Sequence, residues 1–205
     1  MKPILNAIIA AALFSASTQL VLAQEVAAHV GFGSGHDSSS GAPIETYSDG
    51  ILYKTGSLGG VFAHAGFDVF FGKTLGVGAE ISWRVAQADY AGVSYRPGFY
   101  NVDVIYRPAK FKTKRWDPEL RAGLGGARLR FSPSDDQSCA QVPGCEESNH
   151  FQQHLAVAAR WSWTDHWFLR PAFDLHHVNN FSEFGSNWVP EYSVGVGYSV
   201  GKPER

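Results

Sequence analysis

The residues best suited by type to do chemistry are His177, in the run His177-Val178-Asn179-Asn180, and Glu191 beyond it. Acyl transfer by a hydroxyl needs a nucleophile, an adjacent base and a carboxylate that orients the base. His177 is the right type for the base and Glu191 for the carboxylate. Asn179, two residues after His177, carries an amide, which cannot serve as acyl acceptor. Ser182 carries a hydroxyl five residues beyond His177. Simple alternation along extended chain also puts His177 and Glu191 on opposite faces. The sequence therefore assigns no catalytic residues, with His177 and Glu191 held for a hydrolase alternative.

Metal chemistry fares no better in the sequence. Cys139 and Cys145 would need two further ligands to hold zinc, and no second Cys/His pair has the spacing. In an oxidising compartment the two cysteines favour a disulfide, and Pro143-Gly144 lets the chain turn back between them. So small a ring gives about 2 kcal/mol of chain-entropy stabilisation. The expectation is no metal and no cofactor.

A larger group of charged residues comes into register once the elements that hold them are read. The chain alternates with period two. In 75–85, Leu75, Val77, Ala79, Ile81, Trp83 and Val85 form one face, while Gly76, Gly78, Glu80, Ser82 and Arg84 form the other. Such alternation marks a strand with one oily face. Segments 25–33, 59–71, 98–108, 118–131, 150–163, 167–178 and 189–201 read the same way. On their polar faces stand Asp68, Glu80, Asp103, Glu119, Asp174 and Glu191, against Arg84, Arg107, Arg121, Arg160 and Arg170. Six acids nearly balance five arginines, and buried charges persist only when paired and hydrogen-bonded. His29, His64, His154 and His176 share that face and are read as members of its hydrogen-bond network. Pro171 interrupts the pattern of 167–178, where it cannot donate to a ladder, so a bulge or a missing bond is expected there.

The rest of the sequence sets the context. Met1-Lys2 followed by the apolar run from Ile4 to Phe14, with Val21-Leu22-Ala23 after it, has the form of a secretory signal cleaved after Ala23. A membrane anchor is the alternative, with a core short for a bilayer span. Cleavage leaves 182 of the 205 residues, 24–205, as one domain. The formal net charge of −2 is too near zero to suggest nucleic-acid binding, and no basic patch stands out in the sequence. Mean hydropathy is −0.15, against a polytopic helical membrane protein. It suits a barrel whose strands turn half their residues to a polar lumen.

Eight strands of about ten residues cross a bilayer when tilted. The connections at 34–58, 88–97, 132–149 and 179–188 are long, those at 72–74 and 164–166 short, and 109–117 intermediate. Transmembrane barrels have short periplasmic turns and long outer loops, and the alternation fits with the N-terminus inside. Phe71, Tyr106, Trp163, Trp167 and Tyr198 then form an inner aromatic girdle, and Tyr100, Phe151 and Tyr192 an outer one. The fold expected is all-β: an eight-stranded antiparallel up-and-down transmembrane β-barrel. A soluble lipocalin-like barrel has the same alternation with the oily face inward.

The leader, the Gly76–Trp83 strand and the run Ser193-Val-Gly-Val-Gly-Tyr-Ser-Val200 resemble the small bacterial outer-membrane β-barrels of the OmpA and OmpX kind. The last run is similar to the assembly signal of such barrels, with Gly195 and Tyr198 in place and Val200 where a final aromatic is usual. The resemblance implies insertion by the outer-membrane assembly machinery. It also implies contact with outer-membrane lipid and lipopolysaccharide, and a monomer. More weakly, His177-Val-Asn179-Asn180 with Glu191 resembles the outer-membrane lipid A deacylases, which carry His-x-Ser-Asn and a glutamate on the last strand. The departure is Asn179 for serine. The expected role is structural or surface-interaction, in adhesion or envelope integrity, without catalysis. A lipid A deacylase-like hydrolase and a small pore are the alternatives.

Overall fold

The structure, a computed structural model, describes residues 24–37, 43–45, 50, 52–54, 56–90, 93–132, 147–179 and 187–201. Eight long strands build it: β1 (Glu25–Gly35), β2 (Gly60–Phe70), β3 (Leu75–Arg84), β4 (Val93–Tyr106), β5 (Trp116–Ser132), β6 (Glu147–Ser162), β7 (Trp167–Val178) and β8 (Trp188–Val200). Each pairs antiparallel with its sequence neighbour, and β1 pairs with β8 from Val26↔Val200 to Gly35↔Glu191. The eight long strands thus close into a ring, which removes most of the usual liability of exposed strand edges.

The strands form where β-branched and aromatic residues alternate with small or charged ones. Three connections and both ends of the strand set lie at one end of the barrel, and four connections lie at the other. The turns at the first end are tight. Phe71 N donates to Leu75 O at 3.0 Å, and Thr164 Oγ1 accepts from Trp167 N at 2.9 Å. The connection from β4 to β5 makes a 3-10 turn at Ala109–Phe111.

At the opposite end the strands run further than the alternation suggested. β4 begins at Val93 instead of 98, and Ala88–Tyr90 pairs with Val93–Tyr95. The connection read as 88–97 is therefore mostly hairpin. Pro97 punctuates the sequence there, yet it sits buried within β4 opposite Leu129.

At Pro171 the β6–β7 ladder is interrupted. It pairs Leu169 with Trp161 and resumes at Ala172↔Ala158, with register unchanged across the gap. A bond is missing and no bulge forms, while β8 remains paired with Pro171 through Val194.

The two faces of the wall separate sharply. Val30, Val104, Leu124 and Val157 point outward and are each 57–63% exposed. Left in water, each such side chain forfeits about 1.5–3 kcal/mol of burial. Glu25, Asp68, Glu119, Arg121, Arg160 and Arg170 point inward and are nearly inaccessible. A lipocalin-like barrel has the opposite polarity, so the outer wall is a bilayer-facing surface. Aromatic rings gather at the short-turn end, where Trp167 meets Tyr198 edge-on at 5.2 Å and Trp116 and Trp161 lie 6.3 Å apart. Tyr100, Phe151 and Tyr192 are exposed toward the other end.

Candidate functional site

The lumen is where charge concentrates, and it is built in three tiers. At the short-turn end, β1, β2, β4, β5 and β6 bring Glu25, Asp68 and Glu119 against Arg107, Arg121 and Arg160. Arg107 Nη1 donates to Glu25 Oε2 at 2.7 Å, and its Nε donates to Glu119 Oε1 at 3.1 Å. Arg121 forks onto Asp68, with 3.0 Å to Oδ1 and 2.8 Å to Oδ2, and also reaches Glu119 Oε2 at 2.9 Å. Arg160 spans Glu25, Asp68 and Glu119. The planar guanidinium suits this bridging of two or more carboxylates. Phe70 and Phe168 line the same tier, and the Arg107 guanidinium lies 3.3 Å over the Phe70 ring. Lys112 closes its mouth on Asp117 at 2.9 Å.

The middle tier holds the imidazoles. His29 Nε2 is 3.0 Å from Glu80 Oε2, and Arg170 Nη1 is 3.3 Å from the same oxygen. His154 Nδ1 is 2.8 Å from Asp103 Oδ1, and its Nε2 is 3.4 Å from Asp174 Oδ1. His176 stacks between His154 and Phe99, with centroids at 4.9 and 4.4 Å. Its Nε2 lies 3.9 Å from Glu191 Oε2. Glycines make room for these rings. A β-carbon on Gly31 would sit 2.6 Å from His64 Nε2, and one on Gly66 would overlap His29.

The outer tier is apolar. Leu58, Phe62, Tyr95, Phe99, Leu129 and Val189 pack as a buried cluster inside the barrel. Leu58 belongs to the chain returning from the β1–β2 connection. Its backbone N–H donates to Asp37 Oδ2 at 3.0 Å, and Tyr95 Oη donates to Ser57 O at 2.8 Å. That return segment caps the lumen.

Of the charged residues singled out in the sequence, Asp68, Glu80, Arg107, Glu119, Arg121, Arg160 and Arg170 join one connected ionic group. Asp103, Asp174 and Glu191 pair with histidines instead. Arg84 stands apart near the cap, where its guanidinium packs against Gly60. Glu25, already within the alternating segment 25–33, and Asp117, one step before the segment 118–131, also lie on the inner face and were missed. The hydrolase pair does not assemble. Glu191 is buried in the lumen, while His177 lies on the outer side of the wall, 4.4 Å from the Trp188 ring and opposite it in register. It is His176 that faces Glu191. Asn180, Ser182, Cys139, Cys145 and the leader 1–23 lie outside the described residues.

No family model matches the chain, and no curated protein matches its sequence. Solved structures do match in fold. Neisserial surface protein A is 13% identical over 85% of this chain and 95% of its own, with a TM-score of 0.55. The outer membrane protein OprG from Pseudomonas aeruginosa is 16% identical over 87% and 96%, with a TM-score of 0.54. Ail, the attachment invasion locus protein of Yersinia pestis, solved with the heparin analogue sucrose octasulfate, is 12% identical over 86% and 98%, with a TM-score of 0.52. The fold is that of the small bacterial outer-membrane β-barrels. With its oily exterior and charged interior, the chain is built as an integral protein of that membrane.

Proposed function

We propose that the protein is a non-catalytic outer-membrane barrel whose role is surface interaction, carried by its long connections, on a scaffold made rigid by its filled lumen. The observation that carries this reading is the filling itself. Arg160 and Arg170 are almost wholly inaccessible to solvent, and an eight-stranded barrel has an interior just wide enough for side chains to fill. That favours a plug over a small pore. The separation of His177 from Glu191 across the wall supports a role without acyl hydrolysis. Neighbours of the same fold include a protein named for attachment and invasion and one named as a surface protein. In this reading residues 1–23 direct export and are removed, Cys139 and Cys145 form a disulfide, and the barrel is a monomer among lipopolysaccharide.

The test is display of the full chain on bacteria lacking other adhesive barrels. Adherence to a cell or glycan surface is expected, and replacing 36–59 and 133–146 with short turns abolishes it while the barrel still folds. Loss of an acyl chain from lipid A, reversed by His177→Ala, would overturn the reading in favour of the hydrolase.

A further inference from the structure

In the middle tier, His29 on β1, His64 on β2 and Glu80 on β3 meet inside the lumen, all three buried. One donor atom from each lies within 4.8 Å of the others. His29 and Glu80 are in hydrogen-bond contact, but His64 is not. Neither its Nδ1 nor its Nε2 has a hydrogen-bond partner, although the residue is only 2% exposed. A buried polar group left without a partner costs about 1–3 kcal/mol. An aliphatic residue at 64 would avoid that penalty. Glycine at 31 and 195 keeps the space beside this ring open, since β-carbons there would lie 2.6 Å from His64 Nε2 and 3.3 Å from its Cε1.

We infer that His29, His64 and Glu80 form a buried site for one divalent first-row transition ion of the zinc class. Two imidazoles and a carboxylate are a donor set for such ions, and three protein ligands leave a fourth position for water. Donors a few ångströms apart converge on an ion about 2.0–2.2 Å from each after small rotations of the side chains. Charge balance runs the same way. Glu80, Asp103, Asp174 and Glu191 all face this tier, and the last three pair with His154 and His176 rather than with arginine. The opposing group is Arg170, whose Nη1 lies 3.4 Å from His29 Nε2 and 3.3 Å from Glu80. Its Nε is already 3.8 Å from Glu119 Oε2, so the guanidinium has a second carboxylate to turn to when an ion takes the Glu80 oxygen. The ion would staple three consecutive strands from inside. Sequence spacing hides such a site, because its ligands come from three separate strands.

Cobalt(II) is the probe, since its visible absorption reports coordination. The full mature barrel, refolded in micelles with cobalt and then desalted, is expected to retain one ion with an intense tetrahedral-type band. His64→Gln, shown to be folded by its heat-shifted gel mobility, is expected to bind about a hundredfold more weakly. No retention by the wild type, or equal retention by the variant, overturns the site. X-ray absorption on the cobalt-loaded wild type reads the ligands without any variant. Two imidazoles plus carboxylate support the assignment, and any other set overturns it.

Discussion

Arg96 and Arg130 stand directly opposite each other on β4 and β5, both exposed on the outer wall. Like charges facing across a ladder destabilise it. The pair lies at the end with four connections, four residues beyond Tyr100 on β4, or about 13 Å along the strand. Two exposed arginines at that distance from the aromatic ring suit the headgroup region of a bilayer. A lipopolysaccharide phosphate placed between the two guanidinia would offset their repulsion. In micelles containing lipopolysaccharide, Arg96→Ala with Arg130→Ala is expected to lose the rise in Tm that the wild type gains. In zwitterionic detergent alone the variant should match the wild type or exceed it. Equal lipopolysaccharide-dependent shifts would sink the idea.

Arg160 is shared by Glu25, Asp68 and Glu119. Truncating one partner of a buried ion group leaves uncompensated charge, at about 3–5 kcal/mol. Arg160→Ala should lower the urea unfolding free energy in lipid vesicles by that amount. A loss below about 1 kcal/mol would mean that water enters and solvates the carboxylates.

Gly125 lies where a β-carbon would overlap the Tyr100 carbonyl oxygen on the neighbouring strand. Gly125→Ala should cost about 1–3 kcal/mol as the two backbones are pushed apart. Gly72, with nothing within 4 Å of its β-position, is the control. Its alanine variant should stay within about 0.5 kcal/mol of the wild type.

Tyr95 holds the lumen cap through its hydroxyl, which accepts from Ser57 N and donates to Ser57 O. Tyr95→Phe removes both bonds and keeps the packing against Leu58 and Phe99, at about 1 kcal/mol per bond. Limited proteolysis between 38 and 59 should speed up severalfold, with the barrel strands still protected. Unchanged cleavage would show that apolar packing alone holds the segment.

Most of the barrel could be read from alternation, because one face meets lipid and the other does not. β3 is the clearest case, with every odd position from Leu75 to Trp83 outward. The reading falters near the cap. Phe62, Phe99, Val178 and Val189 are apolar yet face inward. Their outward neighbours Val61, Tyr100, His177 and Trp188 are largely apolar too, so the contrast between faces fades and strand ends blur. Most of the ionic group was visible, Arg107 just past β4 included. Glu25 and Asp117, at strand starts, were not. Tier membership could not be read at all, since it depends on stagger between strands. That is why His64 looked like any inward histidine until Glu80 was found beside it.

The pairing of β1 with β8 also governs how the molecule comes into being. Val26 and Val200 belong to opposite ends of the strand set, yet they face each other in the finished wall. Contacts so distant along the chain slow folding, because the entropy of closing the intervening loop is lost before the contact returns anything. The seam cannot form until the last strand is present, so an incomplete chain is an open sheet with two bare edges. Closure therefore comes last, and a helper that held those two edges together would speed it.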